Sequence, residues 1–241
     1  MLFEAELEYP LNESVTAKSF IAYEKQIQGP KPLVIIAPDW RGRSEFYCDI
    51  ARRIAQLGYI GFAIDIYGDA VVGVHDEDKK VLINPLRENR AELLNRMQHT
   101  YDYISQQSFV DKTKIAGVGY CFGGMCVLDL ARGGVELNGI VSLHGLLSAP
   151  TTLAQDFPIK SKVLVLHGYD DTFVHPPQLL EFANEMNARK ADWQIHMYGN
   201  TSHSFTKPTA NDPAHGLKYD AMADKRSWAA TLYFLQEVFN V

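Results

Sequence analysis

Three residues of this chain have the chemistry for covalent catalysis: Cys121 in GVGYCFGG, Asp171 in HGYDDTFV and His203 in YGNTSHSF. A thiol can attack a carbonyl, an imidazole can carry the thiol's proton, and a carboxylate can fix which imidazole nitrogen holds that proton. Glycines stand two residues before and two after Cys121; KIAGV leads into it, and FGGMCVLDLAR leads away to Gly133 and Gly134. This pattern predicts a strand, a sharp turn with the thiol at its tip, and a helix closed by glycine. Such a turn strains the backbone of Cys121 and needs its flanks cleared of side chains. The helix beginning near Phe122 would aim its first amides and positive dipole end at the sulfur, favouring a thiolate and the oxyanion that its attack creates. The N–H of Phe122 is therefore predicted as one oxyanion donor. The N–H of Trp40, in PDWRGRS, is predicted as the second.

Positioning these residues requires a frame, and the chain alternates strand-like and helix-like runs almost throughout. FEAELEY (3–9) and AKSFIAYEK (17–25) have polar edges and suit an antiparallel border. LVIIA (33–37), IGFAID, KIAGVG, GIVSLHG, KVLVLHG and WQIHMYG read as buried strands. Helices are expected at FYCDIARRIAQLG, with Phe46, Ile50, Ile54 and Leu57 on one stripe, at about 87–107, and at PPQLLEFANEMNARK, with Leu179, Phe182, Ala183 and Met186 inward. A last helix, about 220–239, should bury Trp228, Leu232, Leu235 and Phe239. The polar segment from Ile66 to about Leu86 reads as a long loop, with a lid or pocket wall as its functional possibility. The sum is an α/β fold: a mostly parallel, twisted sheet of about eight strands with helices on both faces, in one domain over 1–241. Cys121 then follows the fifth strand, Asp171 the seventh and His203 the eighth. Carboxyl ends of strands are where such sheets collect their chemistry.

Composition narrows the function classes. The chain has 241 residues, 46% of them apolar, and a formal charge of -6, which argues against nucleic acid as a partner. No run is long and apolar enough for a membrane span, and MLFEAELEYP does not read as a signal peptide. Three cysteines without a CxxC pair suggest free thiols in a reducing, cytoplasmic setting. Cys48 and Cys126 read as packing residues, His144 and His167 as hydrogen-bonded structural histidines, and His75 as a surface residue; none has metal-ligand spacing. Asp170 is the rival acid, but GxxDxxV fits Asp171, which leaves Asp170 a turn or capping role.

GYCFGG, DDTFVHP and GNTSHSFTKP together resemble the dienelactone hydrolase family, from about Lys31 to the last helix. The order nucleophile, acid, histidine is also that of the α/β-hydrolase triad. The resemblance implies an eight-stranded α/β-hydrolase fold. It implies hydrolysis of small esters or lactones through a thioester on Cys121, with Asp171 as acid, His203 as base and no metal or organic cofactor. The family enzyme that opens dienelactone has a glutamate near the thiol; the matching residue here is Asp39, one methylene shorter. Where that enzyme holds the substrate carboxylate with an arginine four residues after the histidine, this chain has Lys207, a cation without the bidentate fork. Arg87 and Arg90 are candidates for a second cation, and Tyr67, Tyr120 and Phe173 for an aromatic pocket wall.

The leading expectation is thus a cysteine-dependent ester or lactone hydrolase whose partner is a small-molecule substrate. The same thiolate could attack phosphorus in an activated phosphotriester. The non-enzymatic alternative is a hydrolase fold with Cys121 as an oxidisable sensor thiol, which would call for a missing triad member or a nearby resolving cysteine.

Overall fold

The structure is a computed structural model and describes residues 1–26, 28–151 and 157–240. The chain divides into two compact units, Met1–Gly117 and Val118–Val241. The first holds β1 (Leu2–Pro10), β2 (Thr16–Glu24), β3 (Lys31–Ala37), α1 (Glu45–Ala55), β4 (Ile60–Ala63), α2 (Asp76–Glu88) and α3 (Arg90–Ser105). Strand β5 (Val110–Tyr120) crosses the division. The second unit continues with α4 (Phe122–Arg132), β6 (Gly139–Leu143), β7 (Lys162–Gly168), α5 (Pro176–Ala188), β8 (Trp193–Tyr198), β9 (Asn211–Asp212), β10 (Leu217–Lys218) and α6 (Ala221–Phe239).

Eight strands form one sheet in the order β1-β2-β4-β3-β5-β6-β7-β8. The polar-edged pair β1 and β2 runs antiparallel, and β2 meets β4 antiparallel. Pairs β3–β4, β6–β7 and β7–β8 are parallel. The continuous apolar runs are the parallel strands: Leu33 to Ala37 in β3 and Ile140 and Val141 in β6 are wholly buried. Burial on both faces is why these strands lack the alternation that β1 shows. Each fully buried Val, Leu or Ile there contributes about 1.5–3 kcal/mol by leaving water.

Several expectations need correction. The 66–86 segment is only partly a loop, because α2 begins at Asp76. Its first turn carries Asp76, Glu77 and Asp78, which suit the positive end of a helix, and the Asp78 side chain accepts from the His75 amide. The single helix expected over 87–107 is instead α3, separated from α2 at Asn89, whose side chain accepts from the Glu92 amide. In α1 the buried stripe runs through Tyr47, Cys48, Ile50, Ala51 and Ile54, while Leu57 lies beyond the helix and is exposed. In α6, Trp228 and Leu232 are half-buried, and Thr231, Phe234 and Val238 join Leu235 and Phe239 inside. Ala183 of α5 is likewise half-buried.

Within the first unit, a buried carboxylate shapes the loop after β4. Asp65 accepts backbone hydrogen bonds from Lys18 (2.9 Å), Tyr67 (3.2 Å), Gly68 (2.9 Å) and Ala70 (2.7 Å). A charge without solvent access is tolerated because every bond it makes is charge-assisted. The loop so fixed carries Tyr67, whose hydroxyl donates to the Trp40 carbonyl at 3.0 Å.

Candidate active site

Cys121 terminates β5 and caps α4 with φ 53° and ψ -114°, a conformation that a residue with a side chain adopts only under constraint. The constraint comes from the end of β6: the Cys121 amide donates to the Leu143 carbonyl at 3.0 Å, and the Cys121 carbonyl accepts from Leu146 at 3.3 Å and from Gly124 at 3.0 Å. Gly119 is required by close approach, because a Cβ there would run into the Gly123 carbonyl. The predicted elbow is therefore present, with its thiol half-buried and free of any disulfide. Phe122 is the first residue of α4, so its N–H lies at the positive end of the helix.

Asp171 and His203 meet within the second unit. Asp171 Oδ1 accepts from the amides of Phe173 (2.7 Å) and Val174 (3.2 Å). Those bonds leave Oδ2 facing His203 Nδ1 at 2.7 Å, with both side chains buried. The carboxylate is thus aimed by its own turn before it touches the imidazole. The backbones of the two loops are joined as well: Tyr169 N–H donates to the Tyr198 carbonyl and Asp170 N–H to the Thr201 carbonyl. Asp170 is exposed, and it is Asp171 whose side chain meets His203.

His203 Nε2 is buried and has no hydrogen bond of good geometry. Burial alone would lower the pKa of the ring, but the electrostatic interaction with Cys121 and the hydrogen bond that Nδ1 donates to Asp171 outweigh it, and the pKa is raised to about 10. Cys121 is the neighbour that does most to raise it.

The surroundings of His203 contain residues that the sequence left as structural. The His144 ring stands 5.1 Å from the His203 ring, edge-on, and a further 5.1 Å from Phe205. Its Nε2 pairs with Thr206 Oγ1 at 2.8 Å, as a structural histidine should. Burial, aided by the neighbouring His203 charge, holds its pKa well below the ordinary value. His144 also has φ 38°, a constraint no sequence pattern announces. His167 departs from expectation: it is buried, its pKa is lowered chiefly by burial, and neither ring nitrogen has a hydrogen-bond partner. The hydroxyl of Thr206, three residues past His203, is a partner that no sequence motif marks.

Phe173 is about half exposed, with its ring 4.6 Å from that of His203. Tyr120 and Phe122 are buried in the interior instead. Lys207 is half-buried, and its charge acts on His144. The other predicted site residues belong to the first unit. Asp39 is buried at the end of β3, where its Oδ1 accepts from the Arg41 amide at 2.8 Å. Trp40 follows it, with the Lys79 ammonium 4.9 Å from its ring. Tyr67 is buried and bonded to the Trp40 carbonyl, Arg87 is exposed in the last turn of α2, and Arg90 begins α3, half-buried. Cys48 and Cys126 are buried, in keeping with packing roles. Among the described residues no group of three His, Cys, Asp or Glu could hold a metal ion, and no helix is long and apolar enough to cross a membrane.

Helix α4 is secured from behind by a buried ionic cluster. Arg132, wholly enclosed, forks onto Glu185 of α5 through Nε (2.9 Å) and Nη2 (2.6 Å), and reaches Asp129 at 3.2 Å. It also donates to the carbonyls of Leu147 and Ser148, while Arg189 donates to the carbonyl of Arg132. The planar guanidinium serves five acceptors at once, more than the three N–H donors of a lysine could.

Comparison with known proteins extends this picture. The sequence pattern of the dienelactone hydrolase family matches residues 18–239. A dienelactone hydrolase-like promiscuous phosphotriesterase from metagenomic libraries has a solved structure that is 34% identical, with a TM-score of 0.91 and 99% of each chain covered. A Yersinia pestis protein named "Putative carboxymethylenebutenolidase" is 29% identical over 199 residues, 78% of this chain and 73% of its own. An uncharacterized Caenorhabditis elegans protein is 34% identical over 154 residues, 63% of this chain and 98% of its own. The chain therefore belongs to the dienelactone hydrolase family, enzymes that hydrolyse ester and lactone bonds, and it has their α/β-hydrolase fold.

Proposed function

We propose that this enzyme hydrolyses small carboxylic esters or lactones through a thioester on Cys121. The observation that carries the reading is the 2.7 Å contact of Asp171 with His203 Nδ1, which turns Nε2 to the nucleophile side of the ring. The Cys121 thiol passes its proton to His203 Nε2 as the sulfur attacks the carbonyl carbon, and the carbonyl electron pair moves onto oxygen, where the Phe122 N–H receives it. Collapse breaks the ester C–O bond, and the departing alkoxide takes the proton from His203 Nε2. Water then gives a proton to His203 and its oxygen to the acyl carbon; the thiolate leaves and the carboxylic acid is released. In this reading Trp40 supplies the second oxyanion N–H, and the Asp39 carboxylate assists the passage of the thiol proton to His203. Their place directly after β3 supports both roles. Phe173, exposed beside His203, offers a flat face for an aryl group; Lys207 would favour a substrate with an anionic substituent, with Arg87 or Arg90 as further cations.

A second activity is supported by the likeness to the promiscuous phosphotriesterase. In it the sulfur forms a bond to phosphorus, the P–O bond to an aryl group breaks, and the aryloxide takes the His203 proton. Hydrolysis of the S–P bond returns the thiol.

Stopped-flow turnover of a chromogenic aryl ester, an aryl lactone and an aryl phosphotriester by wild type and Cys121→Ala tests both. A burst followed by steady release, absent in the variant, is the expected result. Equal rates in the two proteins would refute nucleophilic Cys121, and no phenolate from the triester would remove the second activity.

A further inference from the structure

One segment lies against both the acid and the base, and no part of the mechanism above uses it. It runs from Asn211 to Lys218, with β9 and β10 paired antiparallel and a tight turn, Pro213–His215, between them. On the base side, Leu217 bridges His203 in parallel and the Lys218 amide donates to the His203 carbonyl at 3.1 Å. Just beyond, the Asp220 amide donates to the Phe205 carbonyl at 3.1 Å. On the acid side, Thr172 Oγ1 donates to the His215 carbonyl at 3.4 Å. Gly216 lies between the two attachments, buried, with φ 74°. A Cβ at Gly216 would collide with Thr172 Oγ1 and come within 3.0 Å of Thr172 Cβ.

We propose that this hairpin is the positioning element of the acid–base pair, and that Gly216 is the residue through which it works. This rests on the reading of Asp171 and His203 as acid and base. Thr172 follows Asp171 directly, so any push on Thr172 moves the turn whose amides aim the carboxylate. Leu217 is paired with His203 and the Lys218 amide is bonded to its carbonyl, so the same push is transmitted to the imidazole with opposite sense. The spacing of acid and base is thus set by backbone contact with a third segment, in addition to the hydrogen bond between them. Only glycine permits it: the left-handed backbone and the contact with Thr172 each exclude a side chain.

The test is Gly216→Ala, with Thr172→Ala/Gly216→Ala as the relieving partner. The expected result is a fall in kcat of about 10-fold for the aryl ester, with KM within about twofold, as misplacement of a catalytic group produces. The strongly downfield proton NMR signal of His203 Nδ1–H should shift upfield or broaden. The double variant should recover much of both. That signal reports the Asp171–His203 bond whether or not Cys121 is the nucleophile, so failure of the thioester reading leaves this test intact. Should Gly216→Ala not fold, Thr172→Val, which keeps shape but loses the bond to His215, should lower kcat by about 2–3-fold, a loss scaled to one long hydrogen bond. An unchanged signal and unchanged kcat in the folded variants would overturn the proposal, as would a loss of thermal stability with no change in the signal.

Discussion

Asp171→Asn is the sharpest test of how the acid works, because the structure says which end of the amide will face the imidazole. Oδ1 of Asp171 receives two backbone N–H groups, from Phe173 and Val174, and Oδ2 receives His203. An asparagine has one oxygen and one NH2. If its oxygen keeps the two backbone donors, its NH2 must point at His203 Nδ1. The ring then carries its proton on Nε2, the wrong nitrogen for taking one from Cys121. Turning the amide over restores the correct tautomer but faces NH2 against two buried N–H groups. At about 1–3 kcal/mol for each lost partner, that costs about 4 kcal/mol, equivalent to about 10³-fold in rate. The expected result is a kcat lower by about 10³-fold with little change in KM, and a nitrogen-15 NMR spectrum showing His203 protonated at Nε2. Asparagine serves well in other cysteine–histidine sites, so the loss here would come from orientation. A variant near wild-type rate with its proton still on Nδ1 would refute the argument.

Three further outcomes follow from the same geometry. In Cys121→Ala the His203 pKa should drop well below its value of about 10, since the thiol's charge is the largest influence raising it; an NMR titration of the histidines reads this. Gly119→Ala forces a methyl into the Gly123 carbonyl and should destabilise by about 2–3 kcal/mol. Calorimetry should show this as a fall in Tm of about 5–10 °C. His144 has a pKa held below the ordinary 6.5, so the stability it contributes is present above pH 6.5 and is lost as pH falls through its folded value. Melting curves from pH 7 downward should therefore flatten in His144→Asn, a residue that also tolerates the positive φ.

Cys121, Asp171 and His203 drew notice because each follows a strand-like run and stands among residues that can turn: glycine around Cys121, an aspartate pair at 170–171, small polar residues around His203. The strand before His203, read as buried, is instead the edge strand β8, with Gln194, His196 and Met197 exposed. Period and turn chemistry are local, and they survive in a sequence without its neighbours. Other parts were hidden for definite reasons. Helix α2 was read as loop because only Ile83 and Leu86 of its thirteen residues are buried, too few for a stripe; its acidic first turn was the usable sign. The hairpin at 211–218 acts through main-chain atoms, which every residue possesses and no composition betrays. His144 looked like any strand-end histidine, and only packing against His203 and Phe205 distinguishes it. Gly216 likewise reads as an ordinary turn glycine until Thr172 is placed against it.

The ionic cluster behind α4 bears on how the enzyme is born. During synthesis Cys121 and its helix leave the ribosome well before Glu185 does. Until that carboxylate arrives, the guanidinium of Arg132 lacks its bidentate partner, and burying a charge whose partner is missing costs about 3–5 kcal/mol. The nascent elbow is thereby discouraged from closing early. Docking of α4 waits for α5, by which time Asp171 has already emerged. Cys121 is thus presented in finished form only as Asp171 and His203 arrive, and a truncated chain ending before Glu185 leaves Arg132 with Asp129 and two carbonyls but without its bidentate carboxylate.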